Sequence, residues 1–196
     1  WFGYGGLDAL GDEQSLRVRV GYAESEDGFS WKVTAPALDV GTGWDRTNAE
    51  TPSVMKDDSL PDGHPRAYRL YYAGLDYDFD RLPFEQVLEA GMGYGIGLAF
   101  SADGTHFTRL PASESPYEVE GLVLKPNPPE LDRDAWDFLN IADPHVVKQG
   151  GRYHLWYTST ARDARTNAIY LAISYATSDD GIRWVKHGHV ITPDLE

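Results

Sequence analysis

The sequence predicts an all-β protein, a partial β-propeller of four-stranded antiparallel blades, and three observations carry that expectation. First, Val20 to Trp31, Ile96 to Phe107 and Ile173 to Trp184 share the pattern apolar-x-x-Ala-x-Ser-x-Asp-Gly-x-x-aromatic, with Gly28, Gly104 and Gly181 spaced by 76 and then 77 residues. Second, Trp-Asp-x6-Pro-x-Val occurs as Trp44-Asp45 with Pro52 and Val54, and again as Trp136-Asp137 with Pro144 and Val146. Third, the aromatic stretch from Tyr68 to Tyr72 is matched by Tyr153 to Tyr157. Self-similarity at a fixed period marks a repeat architecture, and four short strands per repeat is the content of a propeller blade.

Taken in chain order, Trp1-Phe2 reads as the tail of an aromatic strand, so residues 1–40 form an incomplete blade. Residues 41–110 and 111–196 are each expected to form a complete one. Each complete unit begins with an inner strand at its Pro-x-Val element, near 50–55 and 142–148. A second strand follows near 67–73 and 152–158, where aromatic and aliphatic residues alternate at period two. A third runs near 94–101 and 169–178, and a short outer strand near 105–109 and 182–186 starts after the turn. In that turn Asp accepts main-chain hydrogen bonds, Gly supplies a positive φ, and the following aromatic packs on a neighbour. The one helix-like stretch is 82–90, inside an insertion between the second and third strands.

Composition narrows the function classes. Thirty-one acidic against 17 basic residues, net −14, repel a phosphate backbone, so nucleic acid is not an expected partner. The absence of cysteine excludes thiolate catalysis and cysteine-ligated metals. No apolar stretch approaches the roughly 18 to 20 residues of a membrane-spanning helix, and the sequence does not open on a signal-like segment; its compartment is left open. The histidines do not gather into a ligand set, so neither a cofactor nor a transition-metal site is expected. An axial calcium or sodium ion held by oxygen and water stays open. The run from Asp76 to Asp80 resembles a calcium loop only loosely, lacking the later Gly and Glu.

Positions that break the repeat are better functional candidates than positions that keep it, because the scaffold does not demand them. At the start of the inner strand one unit reads Ala49-Glu50-Thr51-Pro52 and the other Ala142-Asp143-Pro144-His145. Glu50 and Asp143 are therefore the candidate catalytic carboxylates, at different offsets from their prolines, where inner strands converge on a central funnel. His145 follows on the same strand. Trp44, Asp45, Tyr72, Trp136, Asp137 and Trp156 are candidates for a sugar subsite, or alternatively for core aromatics and turn-capping acids.

These residues, with the Tyr-x-Leu-aromatic-Tyr strands and the Ser-x-Asp-Gly turns, resemble the five-bladed propeller glycosidases around glycoside hydrolase families 43, 32, 68 and 130 and their uncharacterised bacterial relatives. The resemblance implies an oligo- or polysaccharide substrate, Glu50 as general acid and Asp143 as base or pKa-setting aspartate. A glycosidase needs one protonated carboxyl to assist departure and one carboxylate to activate water or attack. Two other readings stay open: a non-catalytic propeller that binds carbohydrate or protein, and a structural fragment of a larger glycosidase. At this period five blades need roughly 380 residues, so self-association or further blades would be required to close the ring.

Overall fold

The computed structural model describes residues 1–196 except 11–12, 77–93, 128–135, 138–139, 164–165, 167 and 194–196; the side chains of 7–15, 35 and 162 also lie outside the description. It is all-β, with strands β1 (Phe2–Leu10), β2 (Glu13–Glu24), β3 (Lys32–Leu38), β4 (Asn48–Lys56), β5 (Tyr68–Leu75) and β6 (Gly95–Ser101). These are followed by β7 (Thr108–Arg109), β8 (Leu122–Leu124), β9 (Asn140–Gln149), β10 (Arg152–Arg162), β11 (Ile169–Ser178) and β12 (Val185–Ile191). Among the described residues the only helical turn is a 3₁₀ turn at Ala112–Glu114. The helix-like stretch 82–90 lies outside the described residues.

Three units repeat one order. β9 to β12 form a four-stranded antiparallel sheet in sequential order, and β4 to β7 do the same within the larger sheet. β1, β2 and β3 make a shorter unit, joined to β4 by one parallel bridge between Val18 and Asn48. The two complete inner strands extend over 48–56 and 140–149, slightly beyond the sequence expectation.

The outer strand differs from expectation in an instructive way. β12 pairs with β11 from Thr177 to Ile173 with two register shifts. In the preceding unit that role is divided: β7 pairs with Ala99 and Phe100, while β8 pairs with Ile96 and Gly97. The segment between them is therefore an insertion splitting one outer strand. The stretch up to Leu124 belongs to the second unit, whereas the sequence reading placed the boundary near residue 110.

The units pack face to face through two apolar clusters. Val20, Leu38, Ala49, Leu70, Tyr72 and Phe107 bury one cluster between the first and second units. Tyr71, Ile96, Leu98, Ile141, Leu155 and Ile182 bury the other between the second and third. This is the layered burial that period-two strands permit, one face to each neighbour. Within the second unit, Gly97 makes room for its ladder partner, since a Cβ there would meet the Tyr72 ring at 2.3 Å.

The three turns share one chemistry. Gly28, Gly104 and Gly181 have φ of 76°, 79° and 74°. In each, the serine hydroxyl accepts from the glycine N–H, at 2.8, 2.9 and 2.8 Å. Each aspartate Oδ1 accepts from the two N–H groups beyond its glycine: Phe29 and Ser30, Thr105 and His106, Ile182 and Arg183. Those backbone donors hold Asp27 down to about 2 and push Asp103 well below the ordinary carboxylate range. For Asp180, partial burial opposes the donors but does not outweigh them, and its pKa is lowered as well.

Candidate functional site

Five predicted site residues fall in a recurring internal clamp. Asp45 is 2% exposed, and its Oδ2 accepts from the Tyr72 hydroxyl at 2.9 Å and from Arg109 Nε at 2.7 Å. Trp44 stacks on Tyr72, with centroids 5.8 Å apart and an interplanar angle of 24°. The third unit repeats the clamp with other residues. Asp137 is fully buried, pairs with Lys186 Nζ, and lies beside the Tyr157 hydroxyl, while Trp136 tilts against the Tyr157 ring at 6.3 Å. Burial, against the pull of Asp137, lowers the Lys186 pKa, and burial with Asp45 raises that of Tyr72.

Each clamp ties the loop before an inner strand to the outer strand of the same unit. A buried carboxylate demands such a partner. Asp45, Tyr72 and Asp137 accordingly sit in the interior rather than on a ligand-facing surface, and Trp44 and Trp136 are half-buried covers of the clamps. The cap-and-core alternative for these residues is the one the packing supports.

Glu50 and Asp143 are placed differently. The inner strands align as Asn48-Ala49-Glu50-Thr51-Pro52-Ser53-Val54 on Asn140-Ile141-Ala142-Asp143-Pro144-His145-Val146. Each ladder breaks at the same place, between Glu50 and Ser53 on β4 and opposite Trp156 to Thr158 on β9. Thr51 and Asp143 both carry positive φ, 48° and 50°. For a non-glycine residue that conformation is uncommon, for a β-branched threonine markedly so. Proline follows in each case and cannot donate to the ladder, so the backbone bulges and releases its side chains from the pleat.

Tyr94 brings the two bulges to one place. Its hydroxyl accepts from Asn48 Nδ2 at 3.0 Å, and its backbone N–H donates to Asn140 Oδ1 at 2.6 Å. Asn48 and Asn140 are matched residues of adjacent inner strands, both buried. The Tyr94 pKa is raised strongly, first by burial, then by a hydrogen bond to and the charge of Glu50, and further by the charge of Asp143. Both candidate carboxylates thus bear on one phenol. Glu50 is half-buried and Asp143 exposed. Ser53 Oγ accepts from Val146 N–H at 3.0 Å, fastening the two inner strands just past the bulges.

His145 is exposed and stands opposite Trp156 in the ladder, on the face of the third unit away from the core. Trp156 is 36% exposed and lies among His154 and Tyr175. Among the described residues no three His, Asp or Glu side chains gather as a metal would require. Asp76 pairs with Arg46 at 2.8 Å, and the rest of its acidic run lies outside the described residues.

Sequence reasoning missed Asn48, Asn140 and Tyr94. The asparagines were legible, because the shared element extends to Asn-x-x-x-Pro-x-Val. Tyr94 carries no repeat signal, and only the fold brings it to the bulges.

No protein-family model matches the chain. Two uncharacterized proteins of Mycobacterium tuberculosis, MT1551 and Rv1502, are each 32% identical over 96 residues, which is 48% of this chain and 27% of theirs. Among solved structures, BT0996 in an RGII complex matches with a TM-score of 0.63 at 15% identity, over 100% of this chain and 59% of that one. Zg3597, a family 117 glycoside hydrolase of Zobellia galactanivorans, matches at 0.60 and 17%, over 93% and 44%. The family 32 β-fructofuranosidase BmSUC1 of Bombyx mori matches at 0.55 and 16%, over 99% and 36%. The fold is that of the glycoside hydrolase propellers. The match spans about a quarter of the length of the curated relatives and just over half that of BT0996.

Proposed function

We propose that the chain carries the acid/base site of a glycoside hydrolase-like propeller acting on an oligo- or polysaccharide. Glu50 is the proton donor to the departing glycosidic oxygen, and Asp143 is the base or the carboxylate that sets the protonation of Glu50. The observation that supports this best is that Glu50 and Asp143 stand on matched, strained bulges of neighbouring inner strands, which Tyr94 ties together through Asn48 and Asn140. Backbone in sparsely populated regions persists where the surroundings over-determine it, and such positions cluster at active sites.

In this reading the sugar lies across the two bulges. Glu50 transfers its proton to the leaving oxygen as the C–O bond breaks and positive charge develops on the ring. Asp143 takes a proton from the water that attacks the anomeric carbon. Tyr94, kept a neutral phenol by its raised pKa, can donate to one Glu50 oxygen and leave the other to hold the proton. His145, next along β9 from the bulge, is kept as a candidate sugar contact of this reading. The three units are read as blades of a five-bladed glycosidase type, two complete and one incomplete, in a ring that needs further blades or a second chain to close.

A second reading, a propeller that binds a glycan without cleaving it, is favoured by the exposure of Asp143, since an acid/base pair gains control of protonation from burial. Thermal shift against a panel of oligosaccharides, with product analysis on each, separates the two. Cleavage supports the hydrolase. Protection without product supports the binding module. Neither effect with any glycan overturns both.

A further inference from the structure

The hydrogen bonds around Tyr94 give Asn48 a part that the repeat alone does not require. Tyr94 stands ten residues before the turn glycine Gly104, as Val18 stands before Gly28 and Leu171 before Gly181. At this position Val18 meets the inner strand of the next unit through its backbone, the N–H donating to the Thr47 carbonyl at 3.0 Å. Tyr94 likewise uses its N–H on the next unit, at Asn140 Oδ1, but turns its hydroxyl back to Asn48 on the inner strand of its own unit. An aliphatic side chain suffices at the other two matched positions. The phenol is therefore the part that the scaffold does not demand.

Two pairings are open between an amide and a phenol. The phenol can donate to Oδ1, or Nδ2 can donate to the phenol oxygen. The first satisfies the amide oxygen, and a buried acceptor left without a donor destabilises a fold. The second is the one found. Asn48 Nδ2 lies 3.0 Å from the Tyr94 oxygen, while Oδ1, on a residue only 3% exposed, is buried without a hydrogen-bond partner. The amide has turned its donor to the phenol at the expense of its own acceptor. That orientation is explained if the phenol proton is engaged elsewhere. Glu50, two residues along β4 from Asn48, is hydrogen-bonded to Tyr94, and Asp143 of β9 bears on the phenol through its charge. A carboxylate can only accept. The phenol then donates to Glu50, its oxygen is left to accept, and Asn48 must present Nδ2.

We propose that Asn48 is a positioning residue for the proton of Glu50, acting through Tyr94. By filling the phenol oxygen it keeps the phenol a donor to Glu50. One Glu50 oxygen is thereby occupied, and the acid's proton rides on the other, which is left for the glycosidic oxygen. With the amide reversed, the phenol would donate to Asn48, and the Glu50 proton could turn to the phenol instead of the sugar. The proposal rests on the reading of Glu50 as the acid.

Two variants and one resonance test it. Asn48→Asp keeps the shape and removes the donor; Tyr94→Phe keeps the ring and the bond to Asn140 and removes the hydroxyl. On an unactivated oligosaccharide that the native chain cleaves, each is expected to lower kcat about tenfold to 100-fold with KM little changed, the scale on which misplacing a catalytic group slows an enzyme. Aryl glycosides should be spared, and the double variant should be no slower than the slower single one, since both cut one relay. A merely structural role would lower Tm without sparing the aryl substrate. Proton NMR reads the relay without any substrate. The Tyr94 hydroxyl proton, identified by its loss in Tyr94→Phe, is expected far downfield and is expected to move upfield in Glu50→Gln. This resonance and Tyr94→Phe carry the test if Asn48→Asp does not fold. A hydroxyl proton that is not seen, or that ignores Glu50→Gln, overturns the proposal, as does full kcat in a folded Asn48→Asp or in Tyr94→Phe. Failure of the native chain to cleave any glycan overturns the acid reading instead, and the resonance then decides the relay by itself.

Discussion

Asp27, Asp103 and Asp180 occupy one geometry three times, and Glu50 and Asp143 each occur once; that contrast separates scaffold from chemistry at the scale of the residue. The turn carboxylates have pKa values lowered by folding, Asp27 to about 2 from 3.8. A group depressed in the folded state stabilises it above the unfolded pKa and loses that contribution as pH falls through the folded one. The turns should therefore loosen as pH drops from about 4 toward about 2, visible as a fall in Tm across that window. Asp180→Asn should cost about 1 kcal/mol at neutral pH, in the range of a single net hydrogen bond, and should flatten that acid limb. An unchanged Tm would contradict the turn's role. The clamps predict a larger effect: Arg109→Met strands a 2% exposed Asp45 and should cost about 3–5 kcal/mol in urea unfolding. The repeated turns were plain in the sequence because Asp and Gly declare their geometry. The role of Asp45 and Asp137 was less plain, since Trp-Asp reads as a turn-capping acid beside a core aromatic but also as a sugar subsite, and only the fold brings Arg109 and Lys186 to them from the outer strands.

Among elements, the inner strands β4 and β9 carry the most information. Their existence followed from the repeated Pro-x-Val element, and their matched bulges follow from the proline, which removes a ladder donor. What could not be read was the sign of φ at Thr51. A β-branched residue there is strained, and glycine would adopt the same φ freely. Thr51→Gly is expected to stabilise the fold by about 1 kcal/mol, the lower end of the cost of a sparsely populated backbone conformation. Destabilisation in urea unfolding would mean that the threonine side chain makes a compensating contact. The outer strand of the second unit shows the opposite limit. The insertion between β7 and β8 has no counterpart in the third unit, so the repeat could not announce that the strand resumes at Leu122.

At the scale of the whole molecule, the described units dock face on face, the Trp1 indole and the Tyr71 hydroxyl each donating to the turn-glycine carbonyl of the unit that follows. The period and the three turns made that architecture readable. The convergence on Tyr94 was hidden, because it depends on two units meeting rather than on either alone.

The claim that Glu50 and Asp143 serve one glycosidic bond is tested most directly by the leaving-group dependence of Glu50→Gln. The variant should slow cleavage of an unactivated glycoside by roughly 10²- to 10⁴-fold, the usual cost of losing a general acid. An aryl glycoside, whose leaving group needs little protonation, should be affected far less. Full turnover of the unactivated substrate by Glu50→Gln would contradict the assignment.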